Sequence, residues 1–445
     1  ALHLEKIGAL FALKKIEHQY PHCWRCHKPV IFRATSQWFC SVDDFKDDAV
    51  KAAEDVKWFP EWGKDRLQSM VKERADWCIS RQRKWGVPIP VVYCQDCGKE
   101  IIDNDIMMKV SKIFGEEGSD AWFAHDTEYF LPEGFKCPHC GSAKGFDKEK
   151  DIMDVWFDSG SSHAAVCARR KYLKVPADVY LEGADQYRGW FQSSLLTSVA
   201  GGHGAPYKQI ITHGWTVDGE GKKMSKSLGN GIAPQEIISK YGADILRLWV
   251  ASADYHADIR ISPEILKQIS DNYRKLRNTA RYCLSNLYDF DPDKDMVSND
   301  ELEELDKYAL MKLDEVIKIA RDAFEVYDYH TAAHSLHNFC VVEMSNFYFD
   351  VLKDRLYTSA PQSKTRRAAQ TVLYKVLDAL TLVLTPILAF TADEIWQSMP
   401  HDKSRNGESP LFNEIPQPDF IEADSDFIAK WDRIHAVRFD VQKAL

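Results

Sequence analysis

The spacing of apolar residues changes near residue 260. Before that point, short runs rich in β-branched and aromatic residues alternate with helical stretches, which is typical of an α/β domain. The runs that predict strands are 28–35, 87–93, 177–183 and 207–215. After Pro263, apolar residues recur at three- and four-residue steps, so each stretch presents one apolar helix face. We therefore expect an α/β part over residues 1–260 and a helical bundle over residues 261–445.

The bundle is predicted to contain long helical stretches followed by a polar tail. The first carries the apolar face from Ile265 to Leu287, and others run through 303–327, 331–353 and 366–398. Pro386 should break the last of these, because proline removes a backbone donor and clashes with the preceding turn. The tail over 401–420 is polar and rich in proline, and we expect a short helix after it.

Paired cysteines add a metal centre to this picture. Of eleven cysteines, two pairs, Cys94/Cys97 and Cys137/Cys140, have Cys-x-x-Cys spacing and are each followed directly by glycine. Such knuckles turn sharply enough to bring four thiolates onto one tetrahedral zinc ion, which would be structural because no coordination position stays open. We expect a zinc-ribbon insert over residues 92–150, small and poor in core. Four thiols without metal are the alternative.

A third pair, Cys23 and Cys26, has no second cysteine pair nearby. His22 and His27 could complete a site, or the partner pair could lie upstream of Ala1. We favour the second of these, and a pair that binds no metal is an equal alternative. Cys23 and Cys26 are therefore a candidate second metal site.

The charge of the chain limits how it could bind RNA. The formal net charge is −10, so the chain as a whole should repel nucleic acid, and binding would need local basic stripes. Solvated helix faces are the alternative for any such stripe. The candidate stripes contain Lys267, Arg274, Lys275, Arg277 and Arg281, and then Lys364, Arg366 and Arg367.

The location of the protein is predicted from what the sequence does not contain. We find no apolar run of about 20 residues and no signal-peptide pattern, so we expect no membrane span. Cys-x-x-Cys pairs in a chain without a secretion signal fit a reducing compartment. We expect a cytoplasmic protein.

The segment 219–230, GEGKKMSKSLGN, places lysines and serines between glycines. Movable ammonium groups such as those of Lys223 and Lys226 suit the stabilisation of phosphate charge when ATP reacts with a carboxylate. Lysine acts there as a point charge that reaches phosphate oxygens without a fixed geometry. An exposed basic loop is the alternative for any lone Lys-x-Ser-Lys.

The KMSKS sequence after ITHGWTVDGEG resembles the second signature of class I aminoacyl-tRNA synthetases. Further blocks resemble the isoleucyl-tRNA synthetases of bacterial-like type and follow one another between about residues 20 and 400: YPHCWRCHKPVIFRATSQWF, DVWFDSGSSH, YLEGADQYRGWFQSSLL, YRKLRNTARYCLSNLYDF and KDRLY. The resemblance implies the C-terminal half of a Rossmann-type nucleotide-binding domain, followed by a helical anticodon-binding domain. It implies isoleucine, ATP with Mg²⁺ and tRNA(Ile) as substrates. We also expect a monomer.

The resemblance also implies roles for particular residues. Lys226 is matched to the loop lysine that contacts ATP phosphates, with Lys223 and Ser227 beside it. Glu182 is matched to the carboxylate that holds the aminoacyl-adenylate, by pairing with the α-ammonium; a turn carboxylate is the alternative. The residues matched to the lining of the adenylate and its ribose are Gly183, Asp185 and Gln186.

The remaining candidate site residues concern the side chain, adenine and the tRNA. Trp156 and Trp190 match the walls of the aliphatic pocket, although core packing would be the better interpretation of either tryptophan alone. His213 and Gly214, at the end of a predicted strand, would let the backbone approach adenine. The residues expected to contact tRNA in the helical domain are Arg274, Lys275, Arg277 and Arg281.

Two features of the resembled family are missing from the sequence. The first signature, His-x-Gly-His, is absent, and so is the editing insert. We therefore expect a fragment that neither activates isoleucine alone nor proofreads. The alternatives are a valine- or leucine-specific enzyme of the same class, and a non-catalytic, zinc-stabilised RNA-binding module derived from a synthetase.

Overall fold

A computed structural model describes residues 1–23, 26–225 and 229–444. Its α-helices are α1 (Leu2–Lys6), α2 (Lys46–Ala52), α3 (Gly63–Lys72), α4 (Asn104–Glu117), α5 (Ala121–Ala124), α6 (Thr127–Phe130), α7 (Val155–Gly160), α8 (Trp190–Ala200), α9 (Pro234–Tyr241), α10 (Ala243–Ala251), α11 (Pro263–Asn286), α12 (Glu304–Glu325), α13 (Tyr329–Asn338), α14 (Phe349–Thr358), α15 (Lys364–Leu384), α16 (Ala389–Trp396) and α17 (Ser425–Ala444). Its strands are β1 (Phe39–Cys40), β2 (Lys57–Phe59), β3 (Trp77–Cys78), β4 (Ser80–Arg81), β5 (Val92–Cys94), β6 (Glu100–Ile101), β7 (Phe146–Lys148), β8 (Ile152–Met153), β9 (Tyr180–Gly183), β10 (Gln209–His213), β11 (Thr216–Val217) and β12 (Ile259–Arg260).

The chain forms two compact units. The first contains Ala1–Asp47 and Glu73–Ser161, and the second contains Asp48–Lys72 and Ser162–Leu445. The predicted strands at 177–183 and 207–215 are confirmed as β9 and β10. The prediction of a strand over 28–35 is wrong, because this segment forms no strand and makes only an isolated bridge at Pro29.

The first unit is built from short antiparallel strands. β1 pairs with β3, β4 with β8, and β5 lies between β6 and β7. Helix α4 begins at the cap Asp103, whose side chain accepts hydrogen bonds from the backbone N–H groups of Asp105 and Ile106.

The segment 92–150 has a core of its own. Ile106, Val110 and Ile113, spaced four and three residues apart on α4, are buried together with Trp122 and Phe130, both 0% exposed. The expectation of a core-poor insert is therefore wrong. The helical spacing on α4, together with two large aromatic side chains, supplies apolar area that cysteine spacing does not reveal.

The second unit contains a parallel sheet with the order β2-β10-β9. Helix α8 connects the adjacent parallel strands β9 and β10. Tyr207, just before β10, donates a hydrogen bond from its hydroxyl to the carbonyl oxygen of Phe191 on α8, at 3.0 Å. The register places Glu182 opposite Thr212 and Gly183 opposite His213.

The remainder of the second unit is largely helical, as predicted. Helices α11 and α12 match the predicted stretches, and α15 ends at Leu384 while α16 begins at Ala389, so the break at Pro386 is confirmed. The predicted stretch over 331–353 lies in α13, a π-helical segment at Phe339–Tyr348, and α14. The last helix, α17, has 20 residues and is longer than the short helix expected.

A buried ion pair joins α12 to α14. Asp306 is 0% exposed, and its carboxylate accepts two hydrogen bonds from Arg355, at 2.9 and 2.8 Å, and one from the Tyr348 hydroxyl at 2.7 Å. Arg355 is the arginine of the KDRLY sequence. The KDRLY sequence, one of the blocks that carry the resemblance, therefore contributes to a buried ion pair that holds two helices of the bundle together.

No helix among the residues described is both long enough and apolar enough to cross a bilayer.

Candidate active site and metal centre

Six of the predicted site residues lie together at the carboxyl ends of β9 and β10. Glu182 and Gly183 end β9, Asp185 and Gln186 follow in the 3₁₀ turn Ala184–Tyr187, and His213 and Gly214 stand at the end of β10. Because the two strands are parallel neighbours, these ends share one edge of the sheet. Ligands of open α/β sheets bind at this edge.

Two glycines at this edge leave no room for a side chain. A Cβ added to Gly183 would lie 2.9 Å from Asp185 Oδ1 and 3.4 Å from His213 Cε1. A Cβ added to Gly214 would lie 2.4 Å from the carbonyl carbon and oxygen of Ala257, which are backbone atoms. Glycine is therefore required at position 214 by its packing against the backbone of Ala257, and Gly183 lies against the side chains of Asp185 and His213.

Trp190 is held in place from three sides. Its backbone N–H donates to Gln186 Oε1 at 2.9 Å, and its indole Nε1 donates to Ser162 Oγ at 3.2 Å. Its ring stacks on Tyr180 with centroids 3.9 Å apart and an angle of 8° between the planes. Gln186 in turn donates to Asp185 Oδ2 at 3.1 Å, so the 3₁₀ turn and the start of α8 form one hydrogen-bonded unit.

Tyr180 is a residue that the sequence analysis missed. It is 4% exposed, and burial raises the pKa of its hydroxyl. From the sequence, a single tyrosine in a short apolar run looks the same whether it stacks on a site residue such as Trp190 or is an ordinary core residue.

Trp156 lies in the first unit, on α7, and is 41% exposed. Asp154, which precedes α7, is 4% exposed. Its carboxylate accepts a hydrogen bond from Trp77 Nε1 at 3.0 Å and forms an ion pair with Arg81 at 3.2 Å. Burial, and then the nearby charge of Asp154, raise the pKa of Asp158 to about 6. Helix α7 thus presents an exposed indole beside a carboxyl group that titrates far above its usual range.

The lysine loop is described in part. Lys226 and Ser227 lie outside the described residues. Lys223 is exposed, and its Nζ lies 4.5 Å from the centroid of the Trp215 ring, which is within cation–π distance.

The cysteines Cys94, Cys97, Cys137 and Cys140 converge in the first unit. Their Sγ atoms all lie within 4.8 Å of one another, with Cys94 to Cys140 at 3.7 Å and Cys97 to Cys137 at 3.8 Å. Tetrahedral zinc with Zn–S bonds of about 2.3 Å places sulfur atoms about 3.8 Å apart. The donor set and its spacing therefore fit a metal ion.

The backbone of both knuckles is shaped for this convergence. In each, the backbone carbonyl oxygen of the first cysteine accepts a hydrogen bond from the glycine N–H, Gly98 or Gly141, at 2.8 Å, and both glycines have positive φ. Burial opposes ionisation of Cys137, but hydrogen bonds from the backbone N–H groups of His139 and Cys140, and then from the neighbouring thiols, lower its pKa to about 6. A hydrogen bond from the Ser142 N–H opposes the rise at Cys140, but burial and the other three thiols raise its pKa to about 12. The thiolate is the form that binds metal.

Cys23 and Cys26 lie in a turn with the same backbone pattern. The Cys23 N–H donates to the Lys28 carbonyl and the His27 N–H donates to the Cys23 carbonyl, both at 2.8 Å, and His27 has a φ of 57°. Among the residues described, the metal-ligand cluster found is that of the four cysteines above, and it does not include this pair.

The four basic residues predicted to contact tRNA are all exposed on α11. Arg277 forms a two-pronged ion pair with Glu394, at 2.7 and 2.9 Å, and this pair raises its pKa. Arg274 pairs with Asp271. Lys275 and Arg281 make no ion pair within the described part of the chain, so their charges are available to a partner.

The second basic stripe predicted from sequence is wrong for Arg366 and Arg367. They are 5% and 6% exposed, and Arg366 makes two hydrogen bonds to the carboxylate of Asp289, at 2.7 and 2.9 Å. Arg367 donates to the Asp289 carbonyl and to Gln370. Burying these cations is possible because each finds a carboxylate or carbonyl partner within the bundle.

Comparison with protein families decides the assignment. Residues 10–262 match the family described as tRNA synthetases class I (I, L, M and V), which covers more than half of the chain. The chain belongs to the class I aminoacyl-tRNA synthetases. Residues 306–444 match the anticodon-binding domain of tRNA ligases, so the helical half of this synthetase chain is of the anticodon-binding type.

Relatives of known name support the resemblance seen in the sequence. The isoleucine–tRNA ligases of Caldanaerobacter subterraneus subsp. tengcongensis and of Thermoanaerobacter sp. are 57% and 56% identical over 442 residues. Each match covers 99% of this chain and 47% of the relative. The resemblance to isoleucyl-tRNA synthetases is confirmed, and the chain spans about half the length of the curated relatives it matches.

Solved structures of other class I synthetases share the fold. The methionyl-tRNA synthetase of Mycobacterium tuberculosis in its free state is 16% identical and aligns with a TM-score of 0.60, covering 91% of this chain and 70% of that one. The LeuRS of Agrobacterium radiobacter, in a ternary complex with tRNA and LeuAMS, is 21% identical with a TM-score of 0.56, covering 77% and 42%.

Proposed function

We propose that the whole protein containing this chain is an isoleucine–tRNA ligase. In the first step the carboxylate oxygen of isoleucine attacks the α-phosphorus of ATP, and pyrophosphate leaves. In the second, the terminal ribose hydroxyl of tRNA(Ile) attacks the carbonyl carbon, and AMP leaves. The observation that carries this proposal is identity above 50% with isoleucine–tRNA ligases over nearly the entire chain.

Glu182 is proposed to bind the α-ammonium of isoleucine. It stands at the carboxyl end of β9, is exposed, and makes no ion pair among the described residues. A carboxylate with no internal partner is free to pair with a ligand cation. Gly183, His213 and Gly214 are proposed to lie beside adenine and ribose at the ends of the two strands, with the polar groups of Asp185 and Gln186 next to them.

Trp190 is proposed to form an apolar wall for the isoleucine side chain, and the same role for Trp156 stays a prediction from the sequence. That side chain offers only apolar area for recognition, so flat aromatic surfaces are the suitable contact. The stacking of Trp190 on Tyr180 supports this role, because a wall discriminates by shape only when it is fixed.

Lys226 and Lys223, with Ser227, are proposed to bind the phosphates of Mg²⁺-ATP. Charge develops on the α-phosphate and on the departing pyrophosphate, and positioned cations stabilise it. The exposed position of Lys223 beside Trp215 supports this proposal.

The domain assignment is also a proposal. Residues 1–260 would form the second half of a Rossmann-type catalytic domain, and residues 261–445 the anticodon-binding domain. The parallel β9–α8–β10 arrangement supports the first, and the helices from α11 onward support the second. Lys275 and Arg281, with Arg274 and Arg277, would contact tRNA phosphates.

The proposed function is tested by amino-acid-dependent pyrophosphate exchange in the whole protein. We expect exchange with isoleucine, and kcat/KM for valine lower by about 10- to 200-fold, the range for one methylene in an apolar pocket, for which isoleucyl-tRNA synthetase is itself the standard example. A preference for valine or leucine would overturn the isoleucine assignment. Exchange absent with every amino acid, combined with retained tRNA binding, would favour the RNA-binding module instead.

The segment 92–150 is proposed to be a zinc ribbon held by the four cysteines. We expect the purified chain to lose about one equivalent of zinc per chain on Cys137→Ser, and the segment to become sensitive to protease, because its four thiolates form one site. Cys167→Ser, outside the cluster, is the control and should keep the zinc of the unaltered chain. Equal zinc content in Cys137→Ser and the control would contradict the assignment.

A further inference from the structure

Asn230 connects the two ends of the lysine loop. Its Nδ2 donates to Asp218 Oδ2 at 2.8 Å, and its Oδ1 accepts from the backbone N–H of Ser225 at 3.0 Å. Nδ2 also lies 3.4 Å from the Lys223 carbonyl oxygen. One side chain thus bonds both to the residue before the loop and to the backbone of the segment Lys223–Ser225.

Asp218 organises the first half of the loop. Its Oδ1 accepts from the backbone N–H groups of Glu220 and Lys222, at 3.0 and 2.8 Å, while its own N–H donates to the Lys222 carbonyl at 2.9 Å. The hydrogen bond from Asn230, followed by the one from the Lys222 N–H, holds the pKa of Asp218 below its usual range. The carboxylate therefore stays ionised and keeps its acceptor role at neutral pH.

The tight turn that results fixes the backbone of Lys223. Val217 and Lys223 form an antiparallel bridge across the turn, which Gly221 completes with a φ of 84°. Met224, the next residue, packs against the helical core. The backbone of Lys223 is held on both sides while its ammonium group stays exposed over Trp215.

We propose that Asn230 and Asp218 are positioning residues, which act as a clamp that holds Lys223 for phosphate binding. Asparagine suits position 230 because its amide both donates and accepts, whereas an aspartate there would face the Asp218 carboxylate. The clamp rests on the proposed function only for the identity of the anion that Lys223 meets.

Hydrogen–deuterium exchange of this chain without nucleotide tests the clamp. Asn230→Asp removes the donor to Asp218 and places two carboxylates next to each other. Asp218→Asn places an NH₂ group opposite the NH₂ group of Asn230, so neither donor has an acceptor there. We expect each variant to raise the exchange rate of the Ser225 amide at least tenfold. Glu220→Gln is the matched control and should stay within twofold, because Glu220 pairs with Lys222 through side chains that are 75% and 69% exposed.

The double variant Asp218→Asn with Asn230→Asp separates a clamp from a merely structural pair. It exchanges the two roles, since the amide introduced at position 218 can donate to the carboxylate introduced at position 230 while its oxygen still accepts from the backbone. Protection of the Ser225 amide should therefore return to within threefold of the original. Exchange as fast in the double variant as in the single variants would overturn the proposal, as would single variants that match the control.

A kinetic measurement on the whole protein keeps this inference distinct from the proposed function. Asn230→Asp should lower kcat of isoleucine-dependent pyrophosphate exchange at least tenfold while the KM for isoleucine stays within twofold, and the double variant should restore kcat. An unchanged kcat would overturn the positioning role. A whole protein with no exchange at all would refute the proposed function while the deuterium result still decided whether the clamp exists.

Discussion

Lys226→Ala in the whole protein is expected to lower isoleucine-dependent pyrophosphate exchange by about 100-fold or more, with isoleucine affinity nearly unchanged. Removing one preorganised group that stabilises transition-state charge costs about 10²–10³ in kcat, or about 2.7–4 kcal/mol. Isoleucine is bound by other residues, so its dissociation constant should not follow the rate. Steady-state exchange and equilibrium isoleucine binding measure the two quantities separately.

Lys222→Ala is the matched control for this prediction. Lys222 belongs to the same loop, but its ammonium pairs with Glu220 at 2.7 Å on the surface. We expect Lys222→Ala to change the rate of pyrophosphate exchange by less than about threefold, because exposed ion pairs contribute little. A rate of isoleucine-dependent pyrophosphate exchange for Lys226→Ala within twofold of that of the unaltered protein would refute the role of the loop in adenylation.

Arg355→Met is expected to destabilise the helical part by about 3–5 kcal/mol, the usual cost of removing one partner of a buried ion pair. The carboxylate of Asp306 is fully buried and would lose its two hydrogen bonds from Arg355, keeping those from the Tyr348 hydroxyl and the Glu303 backbone N–H. The free energy of unfolding, obtained from urea titration followed by circular dichroism, measures this loss.

Lys353→Met, two residues earlier in the same KDRLY sequence, controls for the loss of a positive charge. Lys353 pairs with Asp350 at 2.7 Å with both side chains more than half exposed, so we expect a change below about 1 kcal/mol. Equal destabilisation by the two variants would show that the buried pair has no special role.

Periodicity predicted the helical half because helices such as α11 bury one face. The apolar residues of α11 recur at helical spacing, and Pro386 interrupts the last predicted stretch where α15 ends. The prediction failed at 28–35, since a run of β-branched and aromatic residues forms a strand only where a neighbouring strand can pair with it. Whether such a neighbouring strand is present depends on the tertiary fold and not on the local sequence.

Charged residues in the sequence were a poorer guide to which side chains are exposed than apolar spacing was to which side chains are buried. Arg366 and Arg367 were expected to face RNA, but Asp289, more than 70 residues away in sequence, draws both into the interior. A sequence shows where a cation is but not which distant carboxylate it will meet. The stacking of Tyr180 on Trp190 was also missed, because that contact exists only after folding.

The candidate site was predicted mainly through short motifs. The family resemblance named Glu182, Gly183, Asp185 and Gln186, and the end of a predicted strand named His213 and Gly214. The parallel register explains why residues from two separate segments share one edge. The spacing of the four cysteines predicted a cluster, and their sulfur atoms do converge. The roles of these residues in catalysis stay predictions.

The most direct test of this account is a structure of the whole protein with a non-hydrolysable isoleucyl-adenylate analogue. We expect the ammonium group of the analogue within about 2.7–3.2 Å of the Glu182 carboxylate, its alkyl group against Trp190, and its phosphate side toward the loop that carries Lys226. An analogue bound away from the ends of β9 and β10, touching neither Glu182 nor Trp190, would contradict it.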